Sequence, residues 1–189
     1  MKVLFVTQWY PNQSQKFFGI FVREHARAVV LAGHNVQVLS LSLHYSQSLF
    51  KRRIYQHTDE NGINLTQCEL HSRFKDLFYH LPMLQYFLLQ KLLKHSLSIS
   101  GKPDLVHSHV IYPAGIWGDK IARKFNIPHV ITEHWSRLDD FSRSMYFTKG
   151  KNAYNAAKAI MPVSLFLKNK IQTHISSLPD NQFQVIGNV

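Results

Sequence analysis

The sequence predicts an α/β domain: a doubly wound, mostly parallel sheet with helices on both faces. Three observations lead there. Short, almost wholly apolar runs recur along the chain, as in strands covered on both faces. Stretches with helical periodicity separate them. Gly or Ser stands where two of those helices should end or begin. Strands alternating with helices at this spacing imply parallel pairing through right-handed crossovers.

Lys2–Thr7 is the first apolar run. Residues 18–32 are helical: Phe18, Val22, Ala26, Val29 and Val30 share one face, while Arg23, Glu24 and Arg27 lie elsewhere. Gly33 follows where a left-handed cap is wanted. Strands are expected at 36–41 and, by alternation, at 62–69. A helix is expected over 77–97, interrupted by Pro82. Further on come a strand at 104–107, a helix at 114–125, a strand at 128–132 and a helix at 149–158. Residues 159–163 form a strand, and Ser164 N-caps the helix Leu165–His174. A last strand is expected at 183–186.

At 189 residues the chain fits one domain, taken here as 1–189, and 45% hydrophobic residues support a substantial core. Cys68 is the only cysteine, so no internal disulfide forms, and no Cys/His pair has zinc-finger spacing. Both point to a reducing compartment, the cytoplasm. The apolar start stops at Thr7-Gln8, too short for a signal peptide. No stretch has the length of a membrane span. Lys and Arg number 22 against 11 acids, leaving +11 with 12 histidines uncounted. That excess favours anionic partners: phosphorylated ligands, acidic lipid or nucleic acid. Nucleic acid is set aside, because no RRM, KH or helix-turn-helix signature accompanies the charge.

Ligands of such sheets bind beyond the carboxyl ends of the strands. Segments 7–18, 107–113, 132–139 and Ser164 belong there. In the stretch PHVITEHWSRLDD, an apolar strand gives way to Thr132, Glu133, His134, Trp135 and Ser136, where a plain turn would use Gly, Asn or Pro. The loop after the first strand lacks G-x-G-x-x-G, and no Walker A sequence exists, which disfavours dinucleotide-dependent dehydrogenases and P-loop ATPases. Gly19 at a helix start is a place where backbone N–H groups can approach a phosphate, or simply a turn. His107 and His109, two apart with no third ligand, make a poor metal site. Asp104 reads as structural, and neither Ser108 nor Cys68 has a nucleophile context.

FFGIFVREHARAVVLAGHNVQVL, PDLVHSHVIYPAG, IPHVITEHW, AKAIMPVSLFLKNKI and FQVIGNV occur in that order, over nearly the whole chain. Together they resemble the N-terminal, acceptor-side domain of the family-4 retaining glycosyltransferases, which have the GT-B fold of two Rossmann-like domains facing a cleft. The resemblance implies a nucleotide-sugar donor, no metal or other cofactor, and a glycan or lipid-linked acceptor. It implies that His134 is the cleft histidine contacting the transferred sugar, and that His109 and Ser164 line the same cleft. Gly19 would face the donor diphosphate, although many relatives have a Gly pair where Phe18 precedes a single Gly here. VIGNV, with Asn188, resembles the crossing into the second domain, with Gly187 where Pro is usual. Glu133 is expected at the cleft, turned inward or toward a basic group; Trp135 can stack on a sugar or fill the core. The family's basic pair and E-x7-E carboxylates lie in a C-terminal domain that these residues do not contain, so the chain alone is expected to be inactive. A GT-B-type sugar isomerase or epimerase is the alternative.

Residues 71–95 mix cations, among them Arg73, Lys75, Lys91 and Lys94, with many large apolar side chains; Lys51-Arg52-Arg53 lies upstream. The mixture is that of an interfacial segment meeting an anionic membrane surface, or of a helix covering the sheet. Several relatives act on lipid-linked acceptors at the cytoplasmic membrane face. Acceptor choice is expected to reside in loops 8–18, 44–61 and 136–150.

Overall fold

The computed structural model describes residues 1–12 and 15–187. The chain divides into two compact units, Met1–Asp104 and Leu105–Val189, and each is of the mostly parallel α/β type.

In the first unit β1 (Lys2–Thr7) pairs in parallel with β2 (Asn35–Tyr45), and β2 in parallel with β4 (Asn64–Ser72). β3 (Lys51–Thr58) closes the order β3-β4-β2-β1 as an antiparallel edge. Side chains of both parities are buried along β1 and β2, so each strand is covered on both faces. Leu4, Phe5, Val38, Leu39 and Leu41 have no exposed surface. Helices α1 (Ile20–Leu31) and α3 (Pro82–Ser100) pack on β2. Burial along α3 follows the helical repeat through Gln85, Leu89, Leu92, Leu93 and Ser96.

The caps explain the helix ends. Gly33, at φ 83°, closes α1: its N–H donates to Val30 O, and His34 N–H donates to Val29 O. That paired pattern needs a left-handed residue, which Gly supplies without strain. On the predicted apolar face of α1, Val22 and Ala26 are buried together with His25, whereas Phe18 is exposed ahead of the helix.

Two expectations change here. Residues 44–61 are not a loop, because 51–58 form β3 and the hairpin turns at Asp59, whose Oδ1 accepts from Asn61 N and Ile63 N at 2.9 Å each. The basic run Lys51-Arg52-Arg53 sits on that edge strand, where charge discourages edge-to-edge pairing. The helix expected at 77–97 is two, α2 (Lys75–Tyr79) and α3, with Leu81 outside helical backbone at φ −119°, ψ 60° before Pro82, since a residue preceding proline avoids helical backbone.

In the second unit β5 (Leu105–His109), β6 (His129–Glu133) and β7 (Ala159–Pro162) pair in parallel in that order. α4 (Ile116–Phe125) follows β5, and α7 (Leu165–His174) follows β7. Between β6 and β7 lie α5 (Leu138–Ser142) and α6 (Phe147–Ala156), so 136–150 is largely helical rather than a loop. Asn126, at φ 51°, ends α4 as Gly33 ends α1, with Ile127 N donating to Ala122 O. Residues 183–186 run beside β7 but form only one bridge, Ile160 to Phe183. Gln184 N and Ile186 N donate to Ile160 O and Pro162 O. Pro162 has no N–H to return a bond, so the ladder cannot complete.

α4 approaches the strands through Gly118, where an added Cβ would lie 2.0 Å from Ser108 Oγ and 2.7 Å from His129 Nε2. Those two atoms are hydrogen-bonded at 2.9 Å. Burial drives the His129 pKa down from 6.5 to about 3. The unfolded chain therefore takes up this proton near pH 6.5, whereas the folded chain resists until about 3. The stability from keeping His129 neutral is complete above pH 6.5 and is lost as pH falls through that window, by up to about 1.4 kcal/mol per unit. Urea unfolding followed from pH 7 to pH 4 should show this loss, and His129→Asn should reduce its slope by about one proton. An unchanged slope in the variant contradicts the assignment.

Candidate functional site

The carboxyl ends of β5, β6 and β7 lie along one edge because the strands are parallel and in register, with His109 opposite Thr132 and Glu133 opposite Pro162. This register places His109, Glu133 and His134, and the cap residue Ser164, at that edge.

His109 Nδ1 and His134 Nε2 are 3.1 Å apart, and their rings are nearly parallel. Such a contact requires one nitrogen to donate and the other to accept, so it fixes complementary ring protonation at the two atoms. His109 is buried and its ring also stacks on His107, with centroids 4.4 Å apart. His107 Nε2 is 2.7 Å from Thr132 Oγ1. His134 is the half-buried member of the row. An imidazole held from behind and partly open in front can donate or accept a hydrogen bond at a sugar hydroxyl.

Glu133 is turned inward, with no exposed surface, rather than lining a cleft. Its Oε2 accepts from Ile111 N at 2.8 Å and from the Tyr154 hydroxyl at 2.7 Å. Its Oε1 accepts from Trp135 N at 2.8 Å, and the carboxylate also takes a bond from His134 N–H. Burial raises the Glu133 pKa, and these donors oppose the rise. Its main chain is used too: Val163 N donates to Glu133 O at 3.2 Å, joining the end of β6 to the approach to Ser164.

Beside this carboxylate Val110 holds φ 69°, a strained conformation for a β-branched residue. It is fixed on both sides: Val110 N donates to Thr132 O at 2.9 Å, and Ile111 N donates to Glu133. Glu133 thus anchors the strained turn that follows His109 and the backbone that carries His134. Gly150 completes the packing beneath this turn, since a Cβ there would fall 2.4 Å from the Phe141 ring.

Ser164 caps α7: its Oγ accepts from Leu167 N at 3.2 Å, as the sequence predicts. Trp135 is half-buried, its ring 6.4 Å from Phe141. The backbone after it is tied to α7, because Lys170 Nζ reaches Ser136 O at 2.7 Å and Asp139 Oδ2 at 2.6 Å. His174 Nε2 adds a 2.8 Å bond to Asp139 Oδ1. Asn188 lies outside the described residues.

Gly19 lies in the first unit, at φ 72°. A Cβ there would sit 2.3 Å from Trp9 C and 2.4 Å from Trp9 O, so the start of α1 can approach the 9–10 backbone only as glycine. The loop from 8 crosses toward β4, where Gln67 Nε2 donates to Pro11 O at 3.3 Å. An open groove of about 570 Å3 lies there, lined by Tyr10, Asn12, Lys16, Arg23, Tyr55 and His57 among others. Arg73, Lys91 and Lys94 are exposed in the same unit, and Lys75 is half-buried beside Asp76 at 3.8 Å. Cys68 is buried, and burial raises its thiol pKa to about 11, which leaves it inert.

Sequence reasoning missed Tyr154, Val110 and the Asp139 contacts. Tyr154 is 21 positions from the carboxylate it serves. An acid following an apolar strand was the only local signal at Glu133 itself, and it did not point to Tyr154.

Residues 19–189 match the description of Glycosyltransferase Family 4. The chain belongs to this family. Over 77 residues it is 32% identical to an uncharacterized glycosyltransferase of Methanocaldococcus jannaschii, covering 39% of this chain and 21% of that protein. The fold is shared with the calicheamicin glycosyltransferase CalG4, at a TM-score of 0.58 and 12% identity, over 100% of this chain and 53% of that one. It is shared also with the UDP-GlcNAc 2-epimerase of M. jannaschii, at a TM-score of 0.53 and 14% identity, over 100% of this chain and 46% of that one. The family-4 chain thus has the fold of a GT-B N-terminal domain, and spans about half the length of these solved relatives and a fifth of the curated one.

Replacing Glu133 by Gln leaves one acceptor oxygen for donors that now use two, so an N–H loses its partner. The Glu133→Gln chain should be about 1–3 kcal/mol less stable in urea at pH 7. Tyr154→Phe, which leaves the backbone donors in place, should cost less. Wild-type stability in Glu133→Gln would show that the carboxylate does not anchor the turn.

Proposed function

We propose that this chain is the acceptor-side domain of a retaining glycosyltransferase, which moves a sugar from a nucleotide-sugar donor to a lipid-linked or polysaccharide acceptor at the cytoplasmic face of a membrane. The observation that carries the proposal is the half-buried His134, hydrogen-bonded to His109 and held by Glu133 at the carboxyl ends of parallel strands in a family-4 chain. In this reading His134 bonds a hydroxyl of the transferred sugar and fixes its orientation. Orientation of that kind lowers the barrier because the geometry is set before the reaction.

An imidazole does not supply the electrostatic clamp that a leaving diphosphate needs. We assign that clamp to a second, donor-binding lobe, and no metal is required. The groove beside Tyr10, Lys16, Tyr55 and His57 suits an acceptor glycan, with aromatic faces for sugar rings and polar groups for hydroxyls. Loop 8–18 and the β3–β4 hairpin then select the acceptor. The likeness to an epimerase is one of fold alone, whereas the family match favours transfer.

The experiment is sugar transfer by a polypeptide joining this chain to its donor-binding lobe. His134→Ala should lower kcat by about 10²-fold or more with unchanged thermal unfolding. NMR of the product should show the donor's anomeric configuration retained. Wild-type turnover in His134→Ala removes the role of the imidazole. Epimerised nucleotide sugar without transfer replaces the proposal with the isomerase reading.

A further inference from the structure

Large apolar side chains at one end of the first unit are exposed together. Tyr45 ends β2, Leu49 and Phe50 lie in its connection to β3, and Phe74, Leu77 and Leu81 follow β4; all six are exposed. Both segments leave the carboxyl ends of parallel strands, and hydrogen bonds sew them together. Arg73 N donates to Ser48 O at 2.9 Å, Ser46 N to Ser72 O at 3.3 Å, and Ser72 Oγ to Leu49 O at 2.5 Å. The Phe50 and Phe78 rings meet at 5.7 Å. From below, Gln85 holds the α2–α3 junction through the Phe78 and Tyr79 carbonyls and takes a 2.7 Å bond from Gln8. A fixed cluster of exposed large apolar residues marks an interaction surface.

The patch continues along α3. Leu84, Phe87, Lys91 and Lys94 are spaced three and four apart on one exposed stripe, with Phe87 68% exposed. Cations border the apolar part: Lys51, Arg52, Arg53 and Arg73 are exposed, and the Arg73 guanidinium lies 4.9 Å from the centre of the Phe74 ring. Across 44–58 and 73–94 there are seven Lys and Arg, and Asp76 is the only acid.

We infer that this end of the first unit is a docking surface for an anionic lipid bilayer, with the side chains around Leu77, Leu81 and Phe87 entering the headgroup boundary and the surrounding cations meeting acidic headgroups. Charge decides between this occupant and a second copy of the chain. A two-fold contact sets a patch against itself, and here that would oppose seven cations to seven with little acid between them. An acidic bilayer complements the same charge. Tyr, Phe and Leu beside Lys and Arg is the composition of segments that lie in an interface rather than cross it. None of the described helices is long and apolar enough to cross. The purpose of the surface rests on the membrane-borne acceptor proposed above, since it would bring the acceptor groove to the lipid.

The test is flotation of the chain with phosphatidylcholine vesicles, with and without phosphatidylglycerol, at about 0.1 M salt, where exposed charges still act over about 10 Å. The chain should float with the anionic vesicles and stay behind with the neutral ones. Arg73→Gln with Lys91→Gln should lower partition about 25-fold, at about fivefold per cation. Leu77→Ser with Phe87→Ser should abolish flotation, and neither pair should change the circular dichroism or thermal midpoint. Equal partition on both vesicles, no flotation, or a Leu77→Ser/Phe87→Ser variant that still floats overturns the proposal. So does a concentration-dependent dimer, seen by sedimentation, that this variant dissolves. The readout is partition, not turnover, so failure here leaves the transfer reading standing; a chain that floats beside an enzyme that transfers nothing has the opposite meaning.

Discussion

A single buried carboxylate governs the arrangement of the second unit. Removing the Glu133 side chain from water costs several kcal/mol if it is charged, and its raised pKa records that cost. The offset is four donors, three of them main-chain N–H groups from Ile111, His134 and Trp135. None of the three belongs to a ladder, so without the carboxylate each would be a polar group left unmatched at a strand end. The need runs both ways, which is why the geometry is fixed rather than one choice among several. Val110 keeps its strained backbone because the residues on either side are held. The histidine row then follows: β5 delivers His109 just before the strained turn, and β6 delivers His134 just after the carboxylate.

Packing under the same strands follows a similar logic with smaller groups. Gly118 lets α4 lie against the Ser108–His129 bond, and Gly150 lets α6 lie against Phe141. A methyl group at Gly118 would collide with that bonded pair, and one at Gly150 with the Phe141 ring. Close helix approach and a neutral buried imidazole are linked, since the helix that excludes water from His129 also keeps the proton off it.

Much of this was legible in the sequence, for identifiable reasons. Lys2–Thr7 reads as a strand because both its faces are covered, and Ser164 and Gly33 read as caps because their chemistry is local. β3 did not, since an exposed edge strand carries no apolar stripe and Lys51-Arg52-Arg53 looks like solvated surface. The Asp59-Glu60-Asn61-Gly62 turn was the signal available for its hairpin. The odd acid and imidazole after β6 drew notice, but that Glu133 faces inward depends on Tyr154, which no local pattern links to it. A strand at 183–186 was a fair reading of the residues, defeated by the missing N–H of Pro162 on the neighbouring strand.

The central claim is that the Glu133 carboxylate locks the turn and the backbone behind the histidine pair. Amide hydrogen exchange of the wild-type chain tests it most directly, read at Ile111 and Trp135, whose N–H groups lie outside the strands and 2.8 Å from the carboxylate. The account predicts protection at both comparable to that of the β5 and β6 ladder amides. Exchange at the rate of an open loop at either residue would contradict it.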